Sequence, residues 1–152
     1  MSVLKSKRRP TSFLVITNFI TMRKEITELI FRDFGYRPEK DENAEYHMWF
    51  AKMEHEKILK LLQDADRYII MANSIFPAYS YEYSQRRELQ NAAIGLCFDI
   101  LQEFQYTIET LELDVNKFER YVGLIDSEIQ LLRGWRQADN SKRKKLELNE
   151  TK

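Results

Sequence analysis

The stretch VITNFITMRKEITEL (residues 15–29) repeats apolar residues at spacings of four, three, four and three. The repeated positions are Val15, Phe19, Met22, Ile26 and Leu29. This spacing places all five side chains on one face of an α-helix. The stretch therefore predicts an amphipathic helix whose apolar face packs into a core.

The predicted helix has suitable residues at both ends. Thr11 or Ser12 can cap its start, because both side chains accept hydrogen bonds from free backbone N–H groups. Gly35 directly follows Phe34 and is the residue type that most often ends a helix. We therefore expect the first helix to extend to Phe34, and the loop that follows contains Pro38.

Three later segments show the same periodicity. The second helix is expected over residues 45–74, the third from about residue 84, and the fourth after Asp114, with Trp135 near its end. Only 4 Gly and 3 Pro occur in 152 residues, which leaves few turn residues for a multi-stranded sheet. Four helices with short connections predict an all-α fold, an antiparallel up-down-up-down four-helix bundle.

The length of the chain favours a single folded unit with two charged ends. We expect a basic N-terminal arm over residues 1–10, the bundle over 11–138 and a charged C-terminal tail over 139–152. The net charge is zero, from 24 basic and 24 acidic residues, but this balance hides an uneven distribution. Residues 1–10 carry +4 and residues 130–145 carry +5, so the body of the chain is acidic.

In an antiparallel bundle, both basic segments and the start of the third helix share one end. The candidate binding residues at this end are all cationic, and they are Lys7, Arg8, Arg9, Arg86, Arg87, Arg133, Arg136, Lys142, Arg143, Lys144 and Lys145. Tyr79, Tyr81 and Tyr83 alternate with this charge and are candidates for stacking on bases. The pattern predicts contact with nucleic acid or with an acidic protein surface.

Two plainer interpretations of these cations stay open. Basic termini often serve only to keep a protein in solution. Arg86 and Arg87 can also pair with acids on a neighbouring helix. The opposite end, near residues 35–44 and 109–116, is expected to be acidic.

The sequence shows no pattern typical of an enzyme or a metal protein. A di-iron bundle needs Glu-x-x-His motifs, but Ala44 and Lys52 stand three residues before His47 and His55. Cys97 falls on an apolar stripe, which predicts an inert, buried thiol. No Gly-rich phosphate loop or nucleophile elbow occurs. We expect no catalytic residue, no metal and no cofactor.

Two features predict a soluble cytoplasmic protein without a membrane partner. No stretch approaches the ~20 apolar residues that a membrane span requires. The single cysteine agrees with a reducing compartment.

Two segments, ANSIFPAYSYEYSQRRELQNAAIGLCFDILQEFQY (72–106) and IDSEIQLLRGWRQADN (125–140), resemble a known group of helical proteins. The features that carry the resemblance are the Phe76–Pro77 corner and the closing LLRGWR of residues 131–136. The chain resembles the four-helix-bundle superfamily that includes the 23S ribosomal RNA intervening-sequence proteins. Within that superfamily it is most similar to the accessory variability determinant (Avd) proteins of diversity-generating retroelements, and to their Avd-like phage and bacterial relatives.

The resemblance implies a non-catalytic protein that assembles into a pentameric barrel. It implies binding to a reverse transcriptase and to its template RNA, in support of mutagenic cDNA synthesis. By position, Arg86, Arg87, Arg133 and Arg136 fall among the basic contact residues of that family. The chain departs from the family pattern because it is neutral overall and has a long second helix, which favours contact through one end only.

A second interpretation is a helical interaction or assembly module of phage or bacterial origin that does not bind nucleic acid. The small residues Ala92, Ala93 and Gly95 and the aromatic face of the second helix would then form subunit contacts.

Overall fold

Four α-helices make up most of the structure, a computed structural model that describes residues 11–151. The helices run antiparallel in an up-down-up-down bundle, and no strand occurs in the described range. They are α1 (Thr11–Phe31), α2 (Ala44–Asn73), α3 (Ser80–Leu111) and α4 (Glu119–Glu150). The predicted fold class is therefore confirmed.

The apolar stripe of α1 forms one wall of the core. Val15, Phe19, Met22, Ile26 and Leu29 are all buried, as the periodicity predicts. The facing helices contribute their own apolar stripes to the same core cluster. Burial of these side chains is the main stabilising contribution, since each large apolar side chain contributes roughly 1.5–3 kcal/mol.

Polar contacts connect neighbouring helices around the bundle. On α1, Arg23 lies 3.2 Å from Asp66 of α2. Lys57 on α2 lies 2.7 Å from Glu103 of α3. These partly exposed ion pairs contribute little to stability on their own, but they agree with the antiparallel order.

The first helix ends earlier than the sequence predicts. It stops at Phe31, and a short 3₁₀ turn covers Asp33–Gly35. Asp33 and Phe34 adopt left-handed backbone conformations with φ of 51° and 59°, and Gly35 follows with φ of 79°. Burial of the Phe34 side chain offsets the conformational cost of this turn.

The third helix begins at Ser80, before the expected start near residue 84. The Glu82 carboxylate accepts hydrogen bonds from the N–H groups of Ala78 and Tyr79, at 2.9 and 3.0 Å. These bonds satisfy backbone donors that a helix start leaves free, which extends the helix by one turn.

The fourth helix begins with a capped turn and is longer than expected. The Asp114 side chain accepts a hydrogen bond from Asn116 N–H at 3.0 Å, and a 3₁₀ turn over Val115–Phe118 leads into α4. The helix then continues to Glu150, well past Trp135. The expected boundary at residue 138 therefore does not coincide with the end of a helix. No Gly or Pro follows Trp135, so nothing local interrupts the helix.

Residues 1–10 lie outside the described range, as do the predictions for Lys7, Arg8 and Arg9. Within residues 11–151, no helix has the length and apolar character needed to cross a membrane.

Candidate nucleic-acid interface

The start of α3 and the end of α4 lie side by side, as the antiparallel arrangement predicts. We call residues 79–87 and 133–150 the basic end. It contains eight cationic and four acidic residues. Ser80 N–H and Ser80 Oγ donate hydrogen bonds to the Glu150 carboxylate at 2.9 and 2.6 Å, which joins the two segments at their extremity.

Arg86 is a structural residue of the basic end. Its Nε donates to Asp139 Oδ2 at 2.7 Å, its Nη2 donates to Asp139 Oδ1, and its Nη1 donates to the Ile75 carbonyl at 3.0 Å. The guanidinium also lies 5.2 Å from the Trp135 ring centroid. Because these contacts occupy Arg86 within the chain, it is not available to an external partner. The plainer interpretation, an arginine paired with an acid on a neighbouring helix, holds for this residue.

Arg87 and Arg136 are held by neutral amides. Arg87 Nη1 donates to Asn140 Oδ1 at 3.1 Å, and Arg136 Nη1 donates to Asn91 Oδ1 at 2.8 Å. An amide fixes the position of a guanidinium but does not neutralise its charge. These two arginines are therefore oriented cations whose charge remains available to an anion.

Arg143 completes a group of three arginines around a shallow cleft. Its Nη2 donates to the same Asn140 oxygen at 2.8 Å, and its Nε lies 3.7 Å from Glu147. The cleft is lined by Tyr83, Arg87, Arg136, Asp139, Asn140 and Arg143. Asn140 was missed from the sequence, although its position between Arg136 and Arg143 at helical spacing was a usable signal.

The remaining predicted cations also lie on α4. Lys142, Lys144 and Lys145 are exposed, and none of their side chains has an ion-pair or hydrogen-bond partner among the described residues. Arg133 lies over the Phe98 ring, with 5.6 Å between the guanidinium carbon and the ring centroid. The three lysines are thus free point charges on the same helix as the hydrogen-bonded Arg136 and Arg143.

The three predicted stacking residues have different environments. Tyr79 and Tyr81 stack on each other with 5.8 Å between ring centroids and 9° between ring planes, and both are exposed. Tyr83 is partly buried, and its ring lies 5.5 Å from the Arg86 guanidinium. The structure thus leaves Tyr79 and Tyr81 as an exposed aromatic surface and gives Tyr83 a structural contact. Phe76, 85% exposed at the same corner, was not among the predicted stacking residues.

The acids of the basic end are largely engaged within the chain. Asp139 is paired with Arg86, and it also accepts a hydrogen bond from Gln90 Nε2 at 2.9 Å. Hydrogen bonds from the Ser80 hydroxyl and N–H hold the pKa of Glu150 below its usual range. The acids therefore connect α3 to α4, while the unpaired charge of this region is positive.

The other predictions about chemical groups concern residues inside the bundle. Cys97 is buried, and burial raises the pKa of its thiol to about 12, which agrees with an inert thiol. No cluster of three or more potential metal ligands occurs within residues 11–151.

Comparisons of this chain with protein-family models, with curated proteins and with solved structures gave no match.

Proposed function

We propose that this protein is a non-enzymatic accessory protein that binds RNA, a reverse transcriptase, or both through its basic end. The resemblance to Avd proteins suggests a diversity-generating retroelement, in which such binding supports mutagenic cDNA synthesis. The observation that carries the RNA-binding part is the pair Arg87 and Arg136, which amides hold in place without neutralising them.

The chemistry of these groups suits phosphate. A guanidinium donates two parallel N–H groups to phosphate oxygens, and a guanidinium that is already oriented loses less entropy on binding. Lys142, Lys144 and Lys145 add unpaired charge to the same helix. Together these groups favour a polyanion that contacts several cations at once.

The exposed aromatic corner indicates which form of RNA is preferred. Tyr79 and Tyr81 are exposed within the basic end and stack on each other, so one face of each ring is covered by the other ring. Bases can stack on such rings only where they are unpaired, as in loops, bulges and single strands. We therefore propose binding to structured RNA that displays unpaired bases, such as the template transcript of a retroelement.

The test is a filter-binding titration with a structured RNA at low salt, using the wild-type protein and two variants. Arg87→Gln/Arg136→Gln removes two charges from the basic end. Lys24→Gln/Arg67→Gln removes two charges from exposed positions on α1 and α2. We expect the first variant to lose about tenfold or more in affinity, since one charge-assisted hydrogen bond is worth 1.5–3 kcal/mol. The matched control should stay close to wild type. Absent binding at low salt, or equal losses in both variants, would reject the proposal.

The retroelement part has a separate test. A reverse transcriptase gene beside a repeated template region should flank the coding sequence of this protein. The reverse transcriptase should also copurify with this protein. If the protein binds RNA but copurifies with no such enzyme, the RNA-binding proposal stands and the retroelement assignment fails.

The second candidate function is an assembly module, and exposed aromatic residues on α2 and α3 favour it. Tyr46, Trp49 and Met53 recur on one face of α2, and Tyr106 of α3 is also exposed. An aromatic surface of this kind is typical of a protein contact. In this account the chain forms a homo-oligomer, with a pentamer as the state that the resemblance suggests. Light scattering of the wild type and of Trp49→Ser tests it: a wild-type monomer would reject the assembly role.

A further inference from the structure

The end of the bundle opposite the basic end contains an open cavity of about 480 Å³. It lies between the loop after α1, the start of α2 and the loop before α4. Its volume is within the range of ligand sites, roughly 300–1,000 Å³. Its lining includes a histidine with an acidic partner and three cations, which are Arg37, Lys40 and Lys117.

The histidine is oriented by a network within the chain. His47 Nδ1 is hydrogen-bonded to Asp41 Oδ2, which also accepts from Tyr36 Oη at 2.6 Å. Asp41 Oδ1 accepts from Asn43 N–H at 2.9 Å. The Tyr36 hydroxyl, the Asn43 N–H and His47 hold the pKa of Asp41 at about 2, so this residue is a carboxylate at neutral pH. A carboxylate on Nδ1 selects the ring form in which Nδ1 carries the proton and Nε2 is left for another partner.

The side chains of the three lining cations have no polar partner within the chain. Arg37, Lys40 and Lys117 are exposed, and none of their side chains makes a hydrogen bond or ion pair among the described residues. The sequence predicts an acidic surface here, and the acids are indeed present. The three carboxylates of the lining, Asp41, Glu112 and Asp114, balance the three cations in formal charge. Asp41 and Asp114 are fixed in position by hydrogen bonds within the chain, whereas the Glu112 side chain has no partner in the described range.

The backbone that shapes the cavity is also unusual. Gly35 and Glu112, on opposite loops, both line the cavity in left-handed conformations, with φ of 79° and 51°. Glu112 is the left-handed residue that ends α3, a conformation that costs a non-glycine residue about 1 kcal/mol or more. Tyr36 and Leu111 are buried in a small apolar cluster of their own beneath the loops. The cavity therefore has an apolar base and a polar rim.

We propose that this cavity is a binding site for a small organic phosphate, independent of the RNA-binding surface proposed above. The ligand's phosphate would meet Arg37, Lys40 and Lys117, while His47 Nε2 would contact a phosphate oxygen or its proton. Phosphate monoesters have a second pKa near 6, so a monoanion that can donate a hydrogen bond and a dianion that only accepts interconvert close to neutral pH. This dual character matches an imidazole nitrogen that accepts when neutral and donates when protonated. Sulfate, which cannot donate, fits less well.

The test follows the His47 ring signals by NMR while inorganic phosphate, 5′-AMP or sulfate is added at constant ionic strength. We expect saturable shifts with phosphate and 5′-AMP, with 5′-AMP binding at about 1 mM or tighter, and weaker binding of sulfate. Lys40→Ala/Lys117→Ala should weaken 5′-AMP binding by about tenfold for each lysine removed. Because neither lysine side chain makes a hydrogen bond or ion pair within the described residues, this variant should remain folded.

The control is Lys144→Ala/Lys145→Ala, which removes the same charge from the other end of the bundle. This control should bind 5′-AMP like the wild type but bind RNA less well. The Lys40→Ala/Lys117→Ala variant should bind RNA like the wild type but bind 5′-AMP less well. Unsaturable shifts, equal affinity for sulfate, or equal losses in both variants would overturn the phosphate site. The 5′-AMP and sulfate measurements do not depend on whether the basic end binds RNA, so the two proposals can fail separately.

Discussion

Arg86 on α3 and Asp139 on α4 form a two-point ion pair in the interior of the basic end. Asp139 is 3% exposed, so both charges are largely removed from water. Gln90 also donates to the same carboxylate, and Ile75 accepts from the same guanidinium. This network explains how α4 can continue as a helix beyond Trp135 and remain attached to α3.

Arg86→Ala should strongly destabilise the protein, because it leaves the Asp139 carboxylate buried without its charged partner. Loss of one member of a buried pair costs about 3–5 kcal/mol. Urea denaturation followed by circular dichroism measures the change. Arg133→Ala, which removes only a contact with the Phe98 ring, should cost about 1 kcal/mol or less. The double variant Arg86→Met/Asp139→Leu should recover much of the loss, and an Arg86→Ala protein as stable as wild type would contradict the structural role.

Glu128 should make the protein less stable as the pH rises. Its side chain is fully buried, and burial raises its pKa from the ordinary 4.5 to about 8. At pH values between 4.5 and about 8, the Glu128 carboxyl group is ionised in the unfolded chain but still protonated in the folded protein. Stability from this group is therefore complete below about pH 4.5 and is lost as the pH rises through about 8. The loss is roughly 1.4 kcal/mol for each pH unit across that interval.

Glu128→Gln removes this ionisation, so thermal melting from pH 5 to pH 9 should show a smaller loss of stability than in the wild type. Part of the slope should remain, because burial and a hydrogen bond with Glu103 raise the pKa of Glu54 to about 7. Parallel pH profiles for wild type and Glu128→Gln would show that folding does not raise the pKa of Glu128.

Substitution by alanine should have opposite effects on the stability of the protein at Gly95 and at Gly35. A Cβ atom at Gly95, in the middle of α3, would meet nothing within 4 Å. Gly95→Ala should therefore raise the free energy of unfolding by about 1 kcal/mol through helix propensity alone. Gly35→Ala should lower it by about 1 kcal/mol, since φ at Gly35 is 79°.

The same substitution at Gly95 tests one part of the assembly account. Ala93 is buried in the core of the protomer, so only Ala92 and Gly95 of the predicted small-residue patch reach the surface. If these two residues form a close subunit contact, Gly95→Ala should weaken self-association even though it stabilises the protomer. Sedimentation equilibrium of the two proteins distinguishes these effects. Unchanged association would exclude Gly95 from the subunit interface.

The helices could be predicted because their signal is local. The helix that contains Val15 and Leu29 could be predicted from the helical spacing of its apolar residues alone. The end of α1 could not be placed, because the left-handed turn at Asp33 and Phe34 depends on burial of the Phe34 ring. The sequence after Trp135 permits a longer α4 because it contains no Gly or Pro, but it does not show that Arg86 of α3 holds this extension by pairing with Asp139.

The candidate site could be predicted only in part, for a similar reason. Charge counting identified the cations of the basic end, but their roles depend on their neighbours in space. Arg86 faces an aspartate and Arg87 faces an asparagine, so one is structural and the other keeps its charge available. The phosphate cavity at the other end was missed, because His47 and Asp41 meet Lys117 only after the chain has folded.

The salt dependence of RNA binding tests the central proposal most directly. For single-stranded RNA, log Kobs falls with log salt with a slope of about −0.7 for each neutralised phosphate. Lys142→Ala/Lys144→Ala/Lys145→Ala should therefore make the slope shallower by about 2. The control Lys24→Ala/Lys52→Ala/Arg67→Ala, with the same loss of charge on the body of the bundle, should keep the wild-type slope. A slope that stays the same in the first variant, or changes equally in both, would show that the basic end does not hold the RNA.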